Sequence, residues 1–183
     1  MLKKLQLTSY GCFKNKTFKF GQFTIITGPA GSGKTTLVRA ICDAVLKGRA
    51  KLPPRQWPKN SVFKASWAPG KPNILLNLNP DILWKGNGRF SAGDSVVLGM
   101  KQLLKTCGGG EDRIVLLDGI FGPLDEEQRK KAMKVILESY NHGGQFVLTD
   151  VDQPTHLLRA ISAKAVHVEP LPLKSFRRKA SKQ

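Results

Sequence analysis

With 183 residues and a 40% share of hydrophobic side chains, the chain is long and apolar enough to bury one core, which excludes a disordered polyelectrolyte. Its 30 Lys and Arg against 13 Asp and Glu leave a net charge of +17, which favours polyanionic partners, nucleic acid first, unless the lysines form only a solvated face. Without an apolar run of roughly 18 residues, a signal-peptide core in MLKKLQLTSY or a CxxC pair among Cys12, Cys42 and Cys107, a soluble cytoplasmic protein free of membrane, zinc and disulfides is expected.

In chain order, LKKLQLTSY and KTFKF alternate apolar and polar residues around a GCFKN turn, the pattern of a half-buried antiparallel hairpin. QFTIIT then runs apolar and β-branched into a glycine-rich turn, as a strand buried on both faces does. A helix is predicted from Lys34 to Val45, with Leu37, Ala40, Ile41 and Ala44 on one face. Residues 48–88 are rich in proline and basic residues and read as an irregular basic insertion, in which SVFKASW and NILLNL are candidate short strands. Trp57, Phe63 and Trp67 there either stack on bases or build a local mini-core.

SVVLGMKQLLKTC predicts a helix stopped by Gly108–Gly110, RIVLLD a buried strand, DEEQRKKAMKVILESY a helix and QFVLTD a further strand. PTHLLRAIS predicts a short helix and AKAVHVEP a last strand, while 173–183 form a basic, mobile tail. Strands alternating with helices imply a single α/β domain over 1–172, a parallel or mixed sheet with flanking helices and the N-terminal hairpin beside it.

GPAGSGKT, Gly28 to Thr35, fits the P-loop pattern and stands between a predicted buried strand and a helix, the context that the pattern requires. Gly28, Gly31 and Gly33 let the backbone curl around a phosphate; Lys34 can bridge the β- and γ-phosphates of ATP, and Thr35 can ligate Mg²⁺. Ser32 and Thr36 complete the expected nucleotide-binding set. Asp118 closes the apolar run IVLL and is the expected second Mg²⁺ residue, reaching the ion through water, the Walker-B aspartate.

RFSAGDS, 89–95, resembles the signature of ABC-type ATPases, and GPLD, 122–125, resembles the D-loop that follows their Walker B. LTSYGCFKNKTFKFGQFTIITGPAGSGKTTLVRAI looks like the opening of SMC and RecF-type heads. The resemblance implies a P-loop NTPase fold and an ATP-dependent homodimer in which Ser91 and Gly93 of one subunit meet the γ-phosphate held by the other. It also implies a nucleic-acid partner, DNA ahead of RNA.

Three features depart from that family pattern. The connection between P-loop helix and signature is short and carries no heptads. Gln56 and Asn77 both compete for the Q-loop position. Gly119 stands where the family has the glutamate that polarises water, and Asp150 where it has the switch histidine. Either the base is missing and hydrolysis is weak or partner-dependent, or the work falls to Asp125 or Asp150, the catalytic candidates. A positioned base is worth roughly 10²–10⁴ in rate, so Gly119→Glu is expected to raise turnover about tenfold or more if only the base is missing. The alternative function is a degenerate ATP-binding scaffold or regulatory subunit for a protein partner; a small-molecule kinase is the third reading.

Overall fold

The first twenty residues form two strands, β1 (Leu2–Tyr10) and β2 (Phe13–Lys19), paired antiparallel through a two-residue loop whose first residue, Gly11, has φ +54°. The computed structural model describes residues 1–46, 62–68, 70–83, 91–107, 110, 112–150 and 164–168. Next come β3 (Phe23–Thr27), buried along its whole length, and α1 (Lys34–Leu46). β4 (Val62–Trp67) and β5 (Ile74–Leu78) follow, then a single helical turn, α2 (Pro80–Leu83). The remainder is α3 (Ala92–Thr106), β6 (Arg113–Asp118), α4 (Glu126–Asn141), β7 (Gln145–Thr149) and β8 (Lys164–His167).

These strands make two sheets. One is parallel, in the order β5-β6-β7-β3-β8; the other is antiparallel, in the order β2-β1-β4. The α/β class with a parallel sheet and flanking helices is therefore as expected, and the hairpin belongs to a separate three-stranded sheet. In the described part of 48–88 the two candidate strands are present, as β4 and β5. β4 pairs with β1 and β5 with β6, so each is an integral strand of one of the two sheets. The expected helix at 154–162, the tail at 173–183, Gln56 and Trp57 lie outside the described residues.

Alternate residues of the central strands serve two cores. Val115, Leu117 and Leu148 pack with Val96, Met100 and Ile136 of α3 and α4. Ile114, Leu116 and Val147 pack with Ile41 and Val45 of α1 and with Leu5 and Phe18 of the antiparallel sheet. Burial on both faces is why these strands read as unbroken apolar runs. Phe63 and Trp67 pack against the second core, Phe63 edge-on to Tyr10 with ring centroids 5.9 Å apart, so both serve packing. Tyr10 donates from its hydroxyl to Asp43 on α1; burial, then that carboxylate, push its phenol pKa up and keep it a donor.

Two side chains tie the layers together. Gln145 is 2% exposed; its Oε1 accepts from Leu2 N–H at 2.7 Å, and its Nε2 donates to Leu2 O and Gly21 O at 2.8 and 2.7 Å. Arg113, 1% exposed, donates to Ser139 O, Ser139 Oγ and Gly143 O near the C-terminus of α4, and its guanidinium lies 5.5 Å from the Phe146 ring centroid. A cation against the last carbonyls of a helix also opposes the negative end of its dipole.

Candidate nucleotide site at the end of the parallel sheet

β3 delivers the chain at Thr27 and α1 takes it up at Lys34; the six residues between form the P-loop. The fold explains two of its glycines directly. A Cβ on Gly28 would stand 2.5 Å from Val168 O and 2.8 Å from Ser32 Oγ, and one on Gly33 would stand 2.6 Å from Cys12 Sγ and 3.0 Å from Phe13. The tip of the β1–β2 hairpin thus presses on the start of α1. Thr36 takes part in that packing, since its methyl would lie 2.7 Å from a Cβ on Gly11.

Lys34 Nζ donates to Gly28 O at 2.6 Å and Pro29 O at 2.9 Å, which holds its ammonium over the loop. Ser32 Oγ is buried and makes no hydrogen bond, a costly state for a hydroxyl. Thr35 Oγ1 lies 3.3 Å from Asp118 Oδ1, and Thr149 Oγ1 donates to the same carboxylate oxygen at 2.8 Å. Thr149 Oγ1 also accepts from Gly119 N–H at 2.9 Å.

Thr149 is the site residue that sequence reasoning missed. It ends β7 directly beside Asp118 in the parallel register, and it orients the carboxylate by hydrogen bonding. The one visible signal was a hydroxyl closing the apolar run QFVL. The motif pattern points one residue later, to Asp150, whose backbone N–H donates to Ile26 O at 3.0 Å. Gly119 leaves β6 at φ +66°, exposed, with nothing within 4 Å of the place a Cβ would occupy. Gly122 N–H donates to Gly119 O at 3.2 Å and closes a turn there.

The other expected residues form a second cluster at the N-termini of α3 and α4. Ser91 is the N-cap of α3, which therefore starts at Ala92, ahead of the expected SVVLG start; Gly93 sits in its first turn. Asp125 is the N-cap of α4, its carboxylate accepting from Gln128 N–H at 2.8 Å in a capping box. The structure thus brings together Gly28 to Thr36 with Asp118, and separately Ser91, Gly93 and Asp125.

Among the described residues no three His, Cys, Asp or Glu side chains cluster as metal ligands. The cation donors available at the P-loop are the Thr35 hydroxyl and the Asp118 carboxylate. Their 3.3 Å separation sets hydroxyl and carboxylate side by side, which fits a hard cation ligated by the hydroxyl and completed by phosphate and water, with the carboxylate reaching it through a water.

A five-stranded parallel sheet, a P-loop at the end of its β3 strand and an antiparallel sheet pressed on that loop give the chain a fold similar to that of ABC-type ATP-binding proteins. Residues 4–74 match the AAA domain family. A 46-residue stretch is 48% identical to the OLD nuclease of Thermus scotoductus; it makes up 25% of this chain and 8% of that protein. The chain therefore matches less than a tenth of the length of that curated relative. Among solved structures, a Pyrococcus furiosus protein described as an ABC transporter (ATP-binding protein) superposes with a TM-score of 0.56 at 17% identity, covering 91% of this chain and 98% of that one. An SMC head domain from Thermotoga maritima superposes with a TM-score of 0.48 at 14% identity, covering 90% and 94%. Among the described residues no helix is long and apolar enough to cross a membrane.

Proposed function

We propose that the chain binds ATP with Mg²⁺ at Gly28–Thr36 and Asp118, that two copies close around two nucleotides, and that the assembly engages nucleic acid while hydrolysing ATP weakly. The observation that carries this reading is the P-loop: a lysine held over its carbonyls and a buried, unpartnered Ser32 hydroxyl at the mouth of a helix, where anions bind. Lys34 would exchange Gly28 O and Pro29 O for phosphate oxygens, and Ser32 Oγ would gain a partner. Thr35 and Asp118, the latter fixed by Thr149, would hold the cation, which when bound neutralises charge on the β- and γ-phosphates. Ser91 and Gly93 would face the partner subunit's γ-phosphate. Lys34→Ala should remove most ATP affinity by calorimetry; unchanged affinity would reject the assignment.

The nucleic-acid part is supported by the antiparallel sheet. β1, β2 and β4 carry no acidic residue, and Lys3, Lys4, Lys14, Lys16, Lys19 and Lys64 are all exposed. Lys4 stands directly opposite Lys19, and Lys64 opposite Gln6, so three ammonium groups share the outer face. Like charges placed opposite one another cost stability that a phosphate backbone would return. Binding to DNA, and to RNA as the comparison, should weaken steeply with salt. Lys4→Glu with Lys19→Glu should flatten the log–log slope by about 0.9 for each phosphate no longer neutralised. A flat response in the wild type would leave the charge to solubility.

One observation favours the alternative of a nucleotide-binding regulatory subunit for a protein partner. The backbone at Gly119 has turned out of the strand at the position where a base is expected. On that reading Asp125 and Asp150 supply no base either, and turnover without the partner is negligible.

A further inference from the structure

The cluster at the N-termini of α3 and α4 is held by a side chain that no motif singles out. Gln128 Nε2 donates to Ser91 Oγ at 3.2 Å and to Asp94 Oδ1 at 3.3 Å, while its Oε1 accepts from Asp125 N–H at 3.2 Å. Gly93 makes the approach feasible, since a Cβ there would stand 1.9 Å from Gln128 Oε1 and 2.5 Å from its Cδ. The tip of a free glutamine would swing aside cheaply; this one is fixed by three hydrogen bonds. Ser91 Oγ also donates to Asp94 Oδ2 at 2.7 Å and accepts from Asp94 N–H at 3.1 Å, so its proton and both lone pairs are engaged.

We propose that Gln128 is a positioning residue that fastens the turn at 91–94 to the loop at 122–125, so that both meet a partner's nucleotide as one body. The proposal rests on the ATP-dependent dimer put forward above. When Ser91 turns its proton from Asp94 toward a phosphate oxygen, the side-chain N–H of Gln128 keeps hold of the serine oxygen, and the hydroxyl changes partner without the turn moving. Only a carboxamide serves both sides, donating to Ser91 and Asp94 and accepting from Asp125.

Gln128→Glu separates this role from a plain contribution to α4. Glutamate is equally suited to a capping box and keeps the acceptor for Asp125 N–H, yet it cannot donate and places a second carboxylate against Asp94. In the nucleotide-free chain, hydrogen exchange across 91–97 should accelerate tenfold or more while the first turn of α4 is unchanged. Monomer affinity for ATP should be that of the wild type, and the dissociation constant of the ATP-bound dimer should rise about tenfold, the loss expected for one to two hydrogen bonds. Adding Asp94→Asn, whose amide can donate to the introduced carboxylate, should recover most of both effects.

Unchanged exchange in Gln128→Glu overturns the proposal, as does accelerated exchange with wild-type dimerisation. If wild-type chains fail to dimerise with ATP while Gln128→Glu still loosens the turn, the dimer is wrong, and with it the role given to Gln128 toward a nucleotide. The fastening of the two loops would stand on the exchange data alone.

Discussion

At Gly119 the sequence poses a chemical question and the backbone changes its terms. Gly119 stands where the resembled family has a glutamate, and on the sequence alone restoring that side chain is enough to restore a base. With φ at +66°, an L-residue pays about 1–2 kcal/mol for the left-handed conformation, and its side chain does not leave along the extended strand. Gly119→Glu is therefore expected to lower stability by that amount and to raise turnover by less than tenfold, well short of the roughly 10²–10⁴ of a positioned base. Gly119→Ala should show the same destabilisation with no gain. Stopped-flow phosphate release and thermal melting measure the two quantities; a hundredfold gain from the glutamate would show that only the carboxylate was missing. The P-loop residues and Asp118 were legible because each motif is local to one strand and its turn. Thr149 was not, because its partner lies 31 residues away and only the β6–β7 register joins them.

Among the elements, β3, α1, β6, α4 and β7 follow from the sequence because periodicity and burial agree. β4 and β5 are legible as candidate strands amid the prolines and lysines, β4 with the exposed–half-buried alternation of an edge strand; that they join two different sheets is not legible, because β1 and β6, their partners, lie far away along the chain. The start of α3 was hidden by Gly93, which reads as loop until Gln128 is seen to occupy the space a side chain would take. Arg113 opens the apolar run of β6 and holds the C-terminal end of α4 from inside the protein. Arg113→Met would leave Ser139 O and Gly143 O without their buried donor. It should destabilise the chain by about 2–4 kcal/mol in urea titration while leaving ATP affinity intact. A loss below about 1 kcal/mol would mean that water replaces the guanidinium.

For the whole molecule, the two sheets divide the work. The parallel sheet carries the P-loop and Asp118 at one end, and the antiparallel sheet presses its hairpin tip on that loop while presenting lysines outward. The signature-like turn and the loop after β6 form a cluster of their own, which on the proposed reading acts on a second copy. The direct test is light scattering of the wild-type chain and of Ser91→Arg, each with Mg²⁺ alone and with ATP–Mg²⁺. The account predicts a monomer that doubles its mass with ATP, and a Ser91→Arg chain that binds ATP with wild-type affinity yet stays monomeric. A wild-type chain that remains monomeric with ATP bound, or a Ser91→Arg chain that dimerises as the wild type does, would contradict it.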